Sequence, residues 1–282
     1  MKTVGETIRD AACDLSAASD TARLDAELLM AFAIGVSRSD MLVHHMCEDA
    51  PVEFLRLIGR RARQEPVAYI TGEQEFFGRR FGVTNDTLIP RSDSETVVEA
   101  ALELLGEEPL NPFNGVLDLG TGTGALLLSV LAERPAFRGH GIDRSAAAVE
   151  VAKENAERLG LSDRASFSVD GWRDGIDDWG YGWSRGWGPF DLVIANPPYV
   201  EDKADLAAGV RDYEPHSALF AGHDGLDDYR IIIPGLREIA PKAILEIGAT
   251  QAETVTELAE KAGFAVELRH DLANRPRAVI LS

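Results

Sequence analysis

An Asn-Pro-Pro-Tyr motif follows an apolar run with the composition of a buried strand; its residues are Asn196, Pro197, Pro198 and Tyr199. The two prolines should hold Asn196 rigidly where that strand ends, because proline fixes φ and forces extended geometry on the preceding residue. The Asn196 carboxamide oxygen and the Pro197 backbone oxygen can each accept one hydrogen from a planar NH2 group. This pair of acceptors would aim a weakly nucleophilic nitrogen at an electrophile, with the Tyr199 ring over its flat face. The alternative is a strand-ending turn in which the asparagine bonds its own backbone.

A second candidate site is a glycine-rich loop between a predicted strand and a predicted helix; its residues are Gly120, Thr121, Gly122, Thr123 and Gly124. Glycines there permit a tight turn and the close approach of a ligand to backbone N–H groups at the helix N-terminus. Asp143 ends the next predicted strand, where its carboxylate can accept both hydroxyls of a ribose. The pattern predicts a nucleotide-containing cofactor and leaves its class open, because the spacing also fits a dehydrogenase. In the alternative without a ligand, the loop is a purely structural turn and Asp143 is the cap of the following helix.

The elements that must position these residues fall into three predicted parts: a helical domain over 1–75, a β-hairpin linker over 76–90 and an α/β domain over 91–282. In the first part apolar residues recur at helical steps, as at Leu24, Leu28 and Phe32. After residue 95, apolar strand runs alternate with amphipathic helices, which predicts a doubly wound, mostly parallel, Rossmann-like sheet. Two final runs, 265–269 and 277–281, predict an antiparallel pair. Pro234 lies inside a helical pattern and should kink or split that helix.

The charge is acidic and unevenly distributed. The net charge is −19, and residues 1–85 hold 10 Lys and Arg against 13 Asp and Glu, which leaves 18 against 34, or −16, for the rest. Binding to a nucleic-acid backbone depends on Lys and Arg, so direct DNA binding is not expected. No apolar run approaches the roughly 18 residues of a membrane span, and the N-terminus carries no apolar export signal, so a cytoplasmic location is predicted. Cys13 and Cys47 are interpreted as reduced core thiols, and no metal site is expected.

Several runs together carry a family resemblance. The loop reads DLGTGTG, Asp143 closes GID, and NPPY follows, an order that resembles class I S-adenosylmethionine-dependent methyltransferases acting on planar nitrogen. The flanking runs EPVAYITGEQEFFG, LIPRSDSETVVE, RDYEPHSALFAGHDGLDDYR and LEIG are similar to those of the release-factor glutamine N5-methyltransferases, the HemK-type enzymes. The resemblance covers essentially the whole chain. NPPY alone is shared with adenine-N6 methyltransferases.

The resemblance implies an enzyme that uses S-adenosyl-L-methionine to methylate the side-chain amide nitrogen of a glutamine in peptide chain release factors. It implies that the glycine loop lies along the methionine part of the cofactor, that Asp143 binds the ribose and that Trp172 lies by the adenine. Asn196 would touch both the cofactor and the substrate amide. The helical domain would recognise the release factor.

Two departures from the family pattern are visible. Ser92 stands where the family usually has proline, and Asp170 precedes Gly171 before the tryptophan, in the reverse of the usual order. The first loosens a backbone constraint, and the second concerns only the adenine contact. The alternatives are a ribosomal-protein glutamine methyltransferase, an adenine-N6 nucleic-acid methyltransferase, a dehydrogenase or a non-catalytic cofactor-binding protein.

Overall fold

The computed structural model describes residues 2–109, 115–171 and 190–282. The chain divides into two compact units, Met1–Glu73 with Leu206–Tyr213, and Gln74–Asp205 with Glu214–Ser282. The first unit is helical and the second contains the large sheet. Residues 206–213 were predicted to lie in the α/β domain, so a boundary near residue 75 does not describe the helical unit completely. The role of this unit in substrate recognition remains a prediction.

The helical unit contains five helices before the hairpin: α1 (Val4–Leu15), α2 (Ala22–Ile34), α3 (Arg38–Asp40, continued by a π-helical turn over Met41–His45), α4 (Phe54–Arg61) and α5 (Val67–Thr71). Thr3 and Glu6 form a capping box that satisfies backbone N–H groups at the start of α1. The core of this unit includes Leu29 and Met30 of α2. Cys13 and Cys47 are exposed, so the prediction that they are core thiols is wrong.

A β-hairpin follows the first helices, with strands β1 (Glu73–Phe76) and β2 (Arg79–Gly82). Phe77 and Gly78 form its turn with φ angles of 49° and 69°. The second angle suits glycine because it has no Cβ, whereas Phe77 adopts a positive φ with a side chain. The predicted linker over 76–90 therefore contains the last residue of β1, the turn and β2, but not residues 73–75. Residues 83–91 form no strand and lead to the short 3-10 helix Ser92–Ser94.

A seven-stranded sheet forms the centre of the second unit, in the order β5-β4-β3-β6-β7-β9-β8. Its strands are β3 (Val116–Leu119), β4 (Gly139–Asp143), β5 (Ala165–Val169), β6 (Leu192–Ala195), β7 (Ala243–Glu246), β8 (Val266–His270) and β9 (Pro276–Leu281). The first five of these pair in parallel, and β9 pairs antiparallel with both β7 and β8. The predicted fold class, including the antiparallel end, is confirmed.

Helices cover both faces of the sheet: α6 (Glu95–Leu104), α7 (Ala125–Glu133), α8 (Ala146–Arg158), α9 (Asp227–Ile239) and α10 (Ala252–Lys261). All residues of β3, β6 and β7 are buried, as expected for strands packed on both faces, and two separate apolar clusters form the core. Pro234 lies inside α9, which is assigned as one continuous helix, so the predicted split is absent.

The strand order reverses direction next to β3, because β4 lies on one side of it and β6 on the other. Open α/β sheets bind ligands at the carboxyl ends of the strands at such a switch point. The glycine loop follows β3, Asp143 ends β4 and Asn196 follows β6. The topology therefore brings the two candidate sites to one edge of the sheet.

Candidate active site

The glycine loop is shaped by backbone conformation. Gly120, Gly122 and Gly124 have φ angles of 71°, 54° and 78°, which disfavour any residue with a Cβ. The N–H groups of Gly120 and Thr121 both donate to the Ile142 carbonyl at 2.9 Å, which ties the loop to β4. Among the described residues, an added Cβ on Gly122 would meet a single atom, the Gly120 carbonyl oxygen at 4.0 Å. The loop therefore presents open backbone to a ligand.

Asp143 holds the loop and the start of α8 together. Its Oδ2 accepts the Gly122 N–H at 2.9 Å and its Oδ1 accepts the Ser145 N–H at 2.8 Å. Ser145 itself caps α8 by accepting the Ala148 N–H at 3.2 Å. The capping role proposed as the alternative for Asp143 thus belongs to Ser145. Each Asp143 oxygen keeps a lone pair for a further donor, and the residue lines the cleft described below.

Asp118 lies beneath the loop and was not singled out from the sequence. It is 1% exposed, and its Oδ2 accepts the Thr121 hydroxyl at 2.6 Å. Burial raises the pKa of this carboxyl group to about 7, assisted by repulsion from Asp143 and opposed by the Thr121 hydrogen bond. Among the described residues its Oδ1 has no hydrogen-bond partner. Asp118 does not line the cleft, so its observed role is to hold Thr121 of the loop from beneath.

Asn196 follows β6 directly and lines the same cleft as the loop, as does Pro198. Its Nδ2 donates to the Ser94 hydroxyl at 3.4 Å, a long hydrogen bond. Pro197 and Pro198 are buried, which fixes the chain that leaves the strand. With its NH2 group facing Ser94, the asparagine keeps its carbonyl oxygen for another donor.

Tyr199 is directed to a second carboxylate that the sequence analysis missed. Its hydroxyl donates to Glu246 Oε1 at 3.3 Å, and Glu246 is 1% exposed at the end of β7. Burial raises the pKa of Glu246 to about 7, against the lowering effects of Ser94, Arg277 and Tyr199. Burial also raises the pKa of Tyr199 well above its usual value, so the phenol stays protonated and donates.

The outer wall of the cleft is held by polar contacts between separate segments. Arg91 forms an ion pair with the buried Glu214, whose carboxylate also accepts the Ile89 N–H at 3.3 Å. Arg144 donates to the Ser217 carbonyl at 2.9 Å. Burial raises the pKa of Glu214, while Arg91 opposes that rise. These contacts hold the run after the hairpin and the run 214–218 at the same wall.

The cleft contains about 830 Å³ of empty space, part of it open to solvent. Seven of the predicted site residues line it: Gly120, Thr121, Gly122, Thr123, Asp143, Asn196 and Pro198. The open loop and the remaining lone pairs of the Asp143 carboxylate fit a cofactor with ribose hydroxyls. Trp172 lies outside the described residues.

Two other findings bear on the kind of site. Among the described residues, no group of three or more His, Cys, Asp or Glu side chains has the geometry to hold a metal ion. Within the same part of the chain, each helix is too short or too polar to cross a membrane.

Comparison with known proteins gives two family matches. Residues 6–72 match the family described as PrmC N-terminal domain, and residues 113–216 match the family described as methyltransferase domain. The hMettl16 catalytic domain, solved in complex with MAT2A 3′UTR hairpin 1, is similar over 80% of each chain with a TM-score of 0.57. At 14% sequence identity this similarity shows the fold alone. Residues 113–216, which include the glycine loop, Asp143 and Asn196, therefore match a methyltransferase domain.

Relatives that match over nearly their full length show which methyltransferase family the chain belongs to. The release factor glutamine methyltransferase of Cereibacter sphaeroides is 40% identical over 97% of this chain and 96% of its own length. That of Burkholderia pseudomallei is 40% identical over 95% of this chain and 94% of its own. The chain belongs to the release factor glutamine methyltransferase family. The family predicted from the sequence motifs is confirmed.

Proposed function

We propose that this enzyme transfers the methyl group of S-adenosyl-L-methionine to the side-chain amide nitrogen N5 of a glutamine in a peptide chain release factor. The observation that carries the proposal is the position of Asn196. It stands at the end of β6, held by two prolines, in the cleft that the glycine loop and Asp143 also line. Family membership supplies the glutamine and the release factor.

The residues of the cleft fit the cofactor. The open backbone at Gly122 admits close approach of its methionine part, and the Asp143 carboxylate can accept ribose hydroxyls while holding the loop. Asp118 supports the loop from beneath through its hydrogen bond from Thr121. The cofactor, when bound, supplies an electrophilic methyl group attached to a sulfonium. Trp172 stays a predicted adenine contact.

The chain's own contribution to the chemistry is to orient a poor nucleophile. An amide NH2 has a delocalised lone pair, so its nitrogen must be aimed. The Asn196 carbonyl oxygen and the Pro197 backbone oxygen would each accept one of its hydrogens, and Tyr199 would cover its flat face. The nitrogen becomes acidic when it is methylated, so its proton can leave afterwards without a dedicated base.

The cofactor assignment is tested by calorimetry with three ligands: S-adenosyl-L-methionine, its demethylated product and NAD. We expect binding of the first two and no binding of NAD, because the dehydrogenase alternative shares the loop but not the Asn196 site. Tight NAD binding without a response to S-adenosyl-L-methionine would contradict the proposal.

The helical domain, residues 1–75, is proposed to recognise the release factor. On α2 the side chains of Leu24, Leu28 and Phe32 are 41%, 36% and 48% exposed, although they carry the apolar period that predicted the helix. They are four residues apart and therefore share one helical face. An exposed apolar row of this kind is suited to a protein partner. An enzyme with this substrate would act where translation occurs, which is the cytoplasmic location predicted from the sequence.

The test of this role compares an intact release factor with a short peptide that carries the same glutamine. Phe32→Asp should raise KM for the intact factor by about tenfold, since a charge replaces apolar contact area. It should leave the peptide reaction unchanged. Val43→Asp, at a 71% exposed position of the same unit, is the matched control and should change neither. Equal effects of Phe32→Asp on both substrates would contradict the recognition role.

The methyl transfer itself is tested with labelled S-adenosyl-L-methionine, the release factor and two release-factor variants in which the glutamine is Glu or Asn. Label should enter only the unchanged factor, because glutamate lacks the NH2 group and asparagine is one methylene too short. Equal labelling of all three factors would show that the modified residue is a different one.

A further inference from the structure

We propose that Gln251 is a positioning residue, which holds the main chain of Tyr199 so that the tyrosine ring covers the amide group to be methylated. The inference rests on the glutamine methylation proposed above and adds to it a residue outside the glycine loop and the Asn-Pro-Pro-Tyr motif. It also gives a role to two runs of the family resemblance, RDYEPHSALFAGHDGLDDYR and LEIG.

The Gln251 side chain joins three segments of one unit. Gln251 precedes α10, and Tyr199 ends the motif after β6. Gly225, in the first run, precedes α9, and Gly248, in the second, follows β7. The Gln251 Nε2 donates to the Tyr199 carbonyl oxygen at 3.0 Å and to the Gly225 carbonyl oxygen at 3.2 Å. Its Oε1 accepts the Gly248 N–H at 3.1 Å. One carboxamide therefore connects the motif to both runs.

The chemistry of these partners permits one orientation of the Gln251 carboxamide. A carbonyl oxygen only accepts and a backbone N–H only donates. The NH2 end must therefore face Tyr199 and Gly225, which use both of its hydrogens, and the oxygen end must face Gly248. The group cannot turn over without placing its oxygen against two carbonyl oxygens. The contact thus fixes the position of the Tyr199 carbonyl group.

Two glycines let the segments approach this closely. Gly225 has a φ angle of 70°, and a Cβ added there would collide with the Tyr199 carbonyl oxygen. A Cβ added to Gly248 would lie 2.8 Å from Gln251 Oε1 and 3.4 Å from Cδ2 of the Tyr199 ring. A side chain at either glycine would therefore push Tyr199 or Gln251 out of place.

Tyr199 is thereby held at both ends of the residue. Its main chain is bonded to Gln251, and its hydroxyl donates to Glu246 Oε1 at 3.3 Å. A ring fixed at both ends, over the flat face of an amide, restricts the angle at which the amide nitrogen meets the methyl group, and small misalignments slow such a transfer. The partners of Gln251 belong to the Asn196 side of the cleft and not to the glycine loop. Loss of Gln251 should therefore lower the rate and spare cofactor binding.

The experiment is a double-mutant cycle on the single-turnover rate with the release factor, made of wild type, Gln251→Met, Tyr199→Ala and the double variant. Methionine keeps the length of the glutamine side chain and removes its three hydrogen bonds. Alone, Gln251→Met should lower the rate about 10-fold, since a misaimed amide reacts slowly. In the Tyr199→Ala protein, which has no ring to hold, the same change should cost less than about 2-fold. Affinity for S-adenosyl-L-methionine should stay within about 3-fold of wild type in Gln251→Met.

The matched control is Gln74→Met, at a glutamine of the same unit whose Nε2 donates to the neighbouring Glu75 carbonyl at 3.0 Å. It should keep the rate of the parent protein with and without the Tyr199 ring. If Gln251→Met fails to fold, Gln251→Glu replaces it, because a carboxylate keeps the bond from Gly248 and cannot donate to Tyr199. If Tyr199→Ala is too slow to measure, the ratio of the rate loss to the affinity loss in Gln251→Met decides.

An active wild type in which Gln251→Met loses no rate, or loses the same factor with and without the Tyr199 ring, would overturn the positioning role alone. A loss of cofactor affinity as large as the loss of rate would also overturn it, since that is the result of a general disturbance of the fold. A wild type that transfers no methyl group to glutamine would instead overturn the proposed function and this inference with it.

Discussion

The two sides of the cleft are built in different ways. The glycine-loop side is mainly backbone, with three left-handed glycines and N–H groups that donate to Ile142 and Asp143. The Asn196 side is mainly side chain: the buried Ser94 accepts a hydrogen bond from Asn196, and the buried Glu246 accepts one from Tyr199. A backbone surface binds a ligand by shape, whereas side-chain hydrogen bonds orient one group. Changes on the first side should therefore alter cofactor affinity, and changes on the second should alter rate.

The largest effect is expected from Asn196→Ala. Removing the carboxamide removes one of the two acceptors for the substrate NH2 group, and kcat should fall at least ~100-fold, the order of loss that misplaced reacting groups produce. Affinity for S-adenosyl-L-methionine should change by less than about 3-fold, or under 1 kcal/mol. Single-turnover kinetics and calorimetry measure the two quantities. Asn85→Ala, at an exposed asparagine of the same unit, is the control and should change neither. A large loss of affinity in Asn196→Ala with an unchanged single-turnover rate would break the comparison.

Asp143→Ala should produce the next largest effect, which falls on cofactor affinity and not on rate. The ribose hydroxyls lose a charged acceptor, and the Gly122 and Ser145 N–H groups lose theirs, so cofactor binding should weaken by about 1–3 kcal/mol. The rate at saturating cofactor should fall much less. Calorimetry and kcat at saturation test this. Unchanged affinity would show that Asp143 only holds the loop.

Gly122→Ala and Gly160→Ala form a matched pair that separates backbone strain from ligand approach. Both glycines have positive φ, 54° and 69°, and neither would place a Cβ in a clash. Each substitution should therefore destabilise the fold by about 1–2 kcal/mol. Only Gly122→Ala should also weaken cofactor binding, by about tenfold, or 1.4 kcal/mol. Equal affinities of the two variants would contradict the view that the loop offers open backbone to the ligand.

Ser145→Ala should give the smallest effect. The serine caps α8 but does not share the ribose role predicted for Asp143, so its loss should lower the free energy of unfolding by about 1 kcal/mol. Cofactor affinity should remain within about 3-fold of wild type. Thermal unfolding and calorimetry make the comparison. If Ser145→Ala lost as much cofactor affinity as Asp143→Ala, the separate roles given to the two residues, helix cap and ribose acceptor, would be contradicted.

The features that sequence predicted well are local in the chain. The glycine loop, the strand before Asn196 and the alternation of strands and helices each depend on short-range pattern, and the fold class follows from them. Ser94 was missed because it is 102 positions from Asn196, and its role depends on a contact that no local pattern contains. Glu246 was missed for the same reason, since Tyr199 lies 47 positions away.

Other differences have similar causes. Leu24, Leu28 and Phe32 recur at a helical period, which locates α2. The period does not show which apolar face of the helix is buried in the core of the unit. The continuous helix around Pro234 shows packing of α9 overriding a local breaker, since Ile232, Ile233 and Leu236 beside it are buried. Residues 206–213 group with the helical unit, where the Tyr213 hydroxyl donates to the Arg63 carbonyl at 2.9 Å. That contact spans 150 positions.

The central claim is that the cleft methylates a protein glutamine. The most direct measurement is a side-by-side reaction with labelled S-adenosyl-L-methionine and a release factor, a ribosomal-protein mixture, DNA or RNA at low salt, followed by mass spectrometry of each product. We expect one methyl group on the side-chain amide of a single release-factor glutamine and none on adenine, because a net charge of −16 over residues 86–282 opposes binding of a polyanion. Methyl transfer to adenine, or to a ribosomal protein, with none to the release factor would contradict the account.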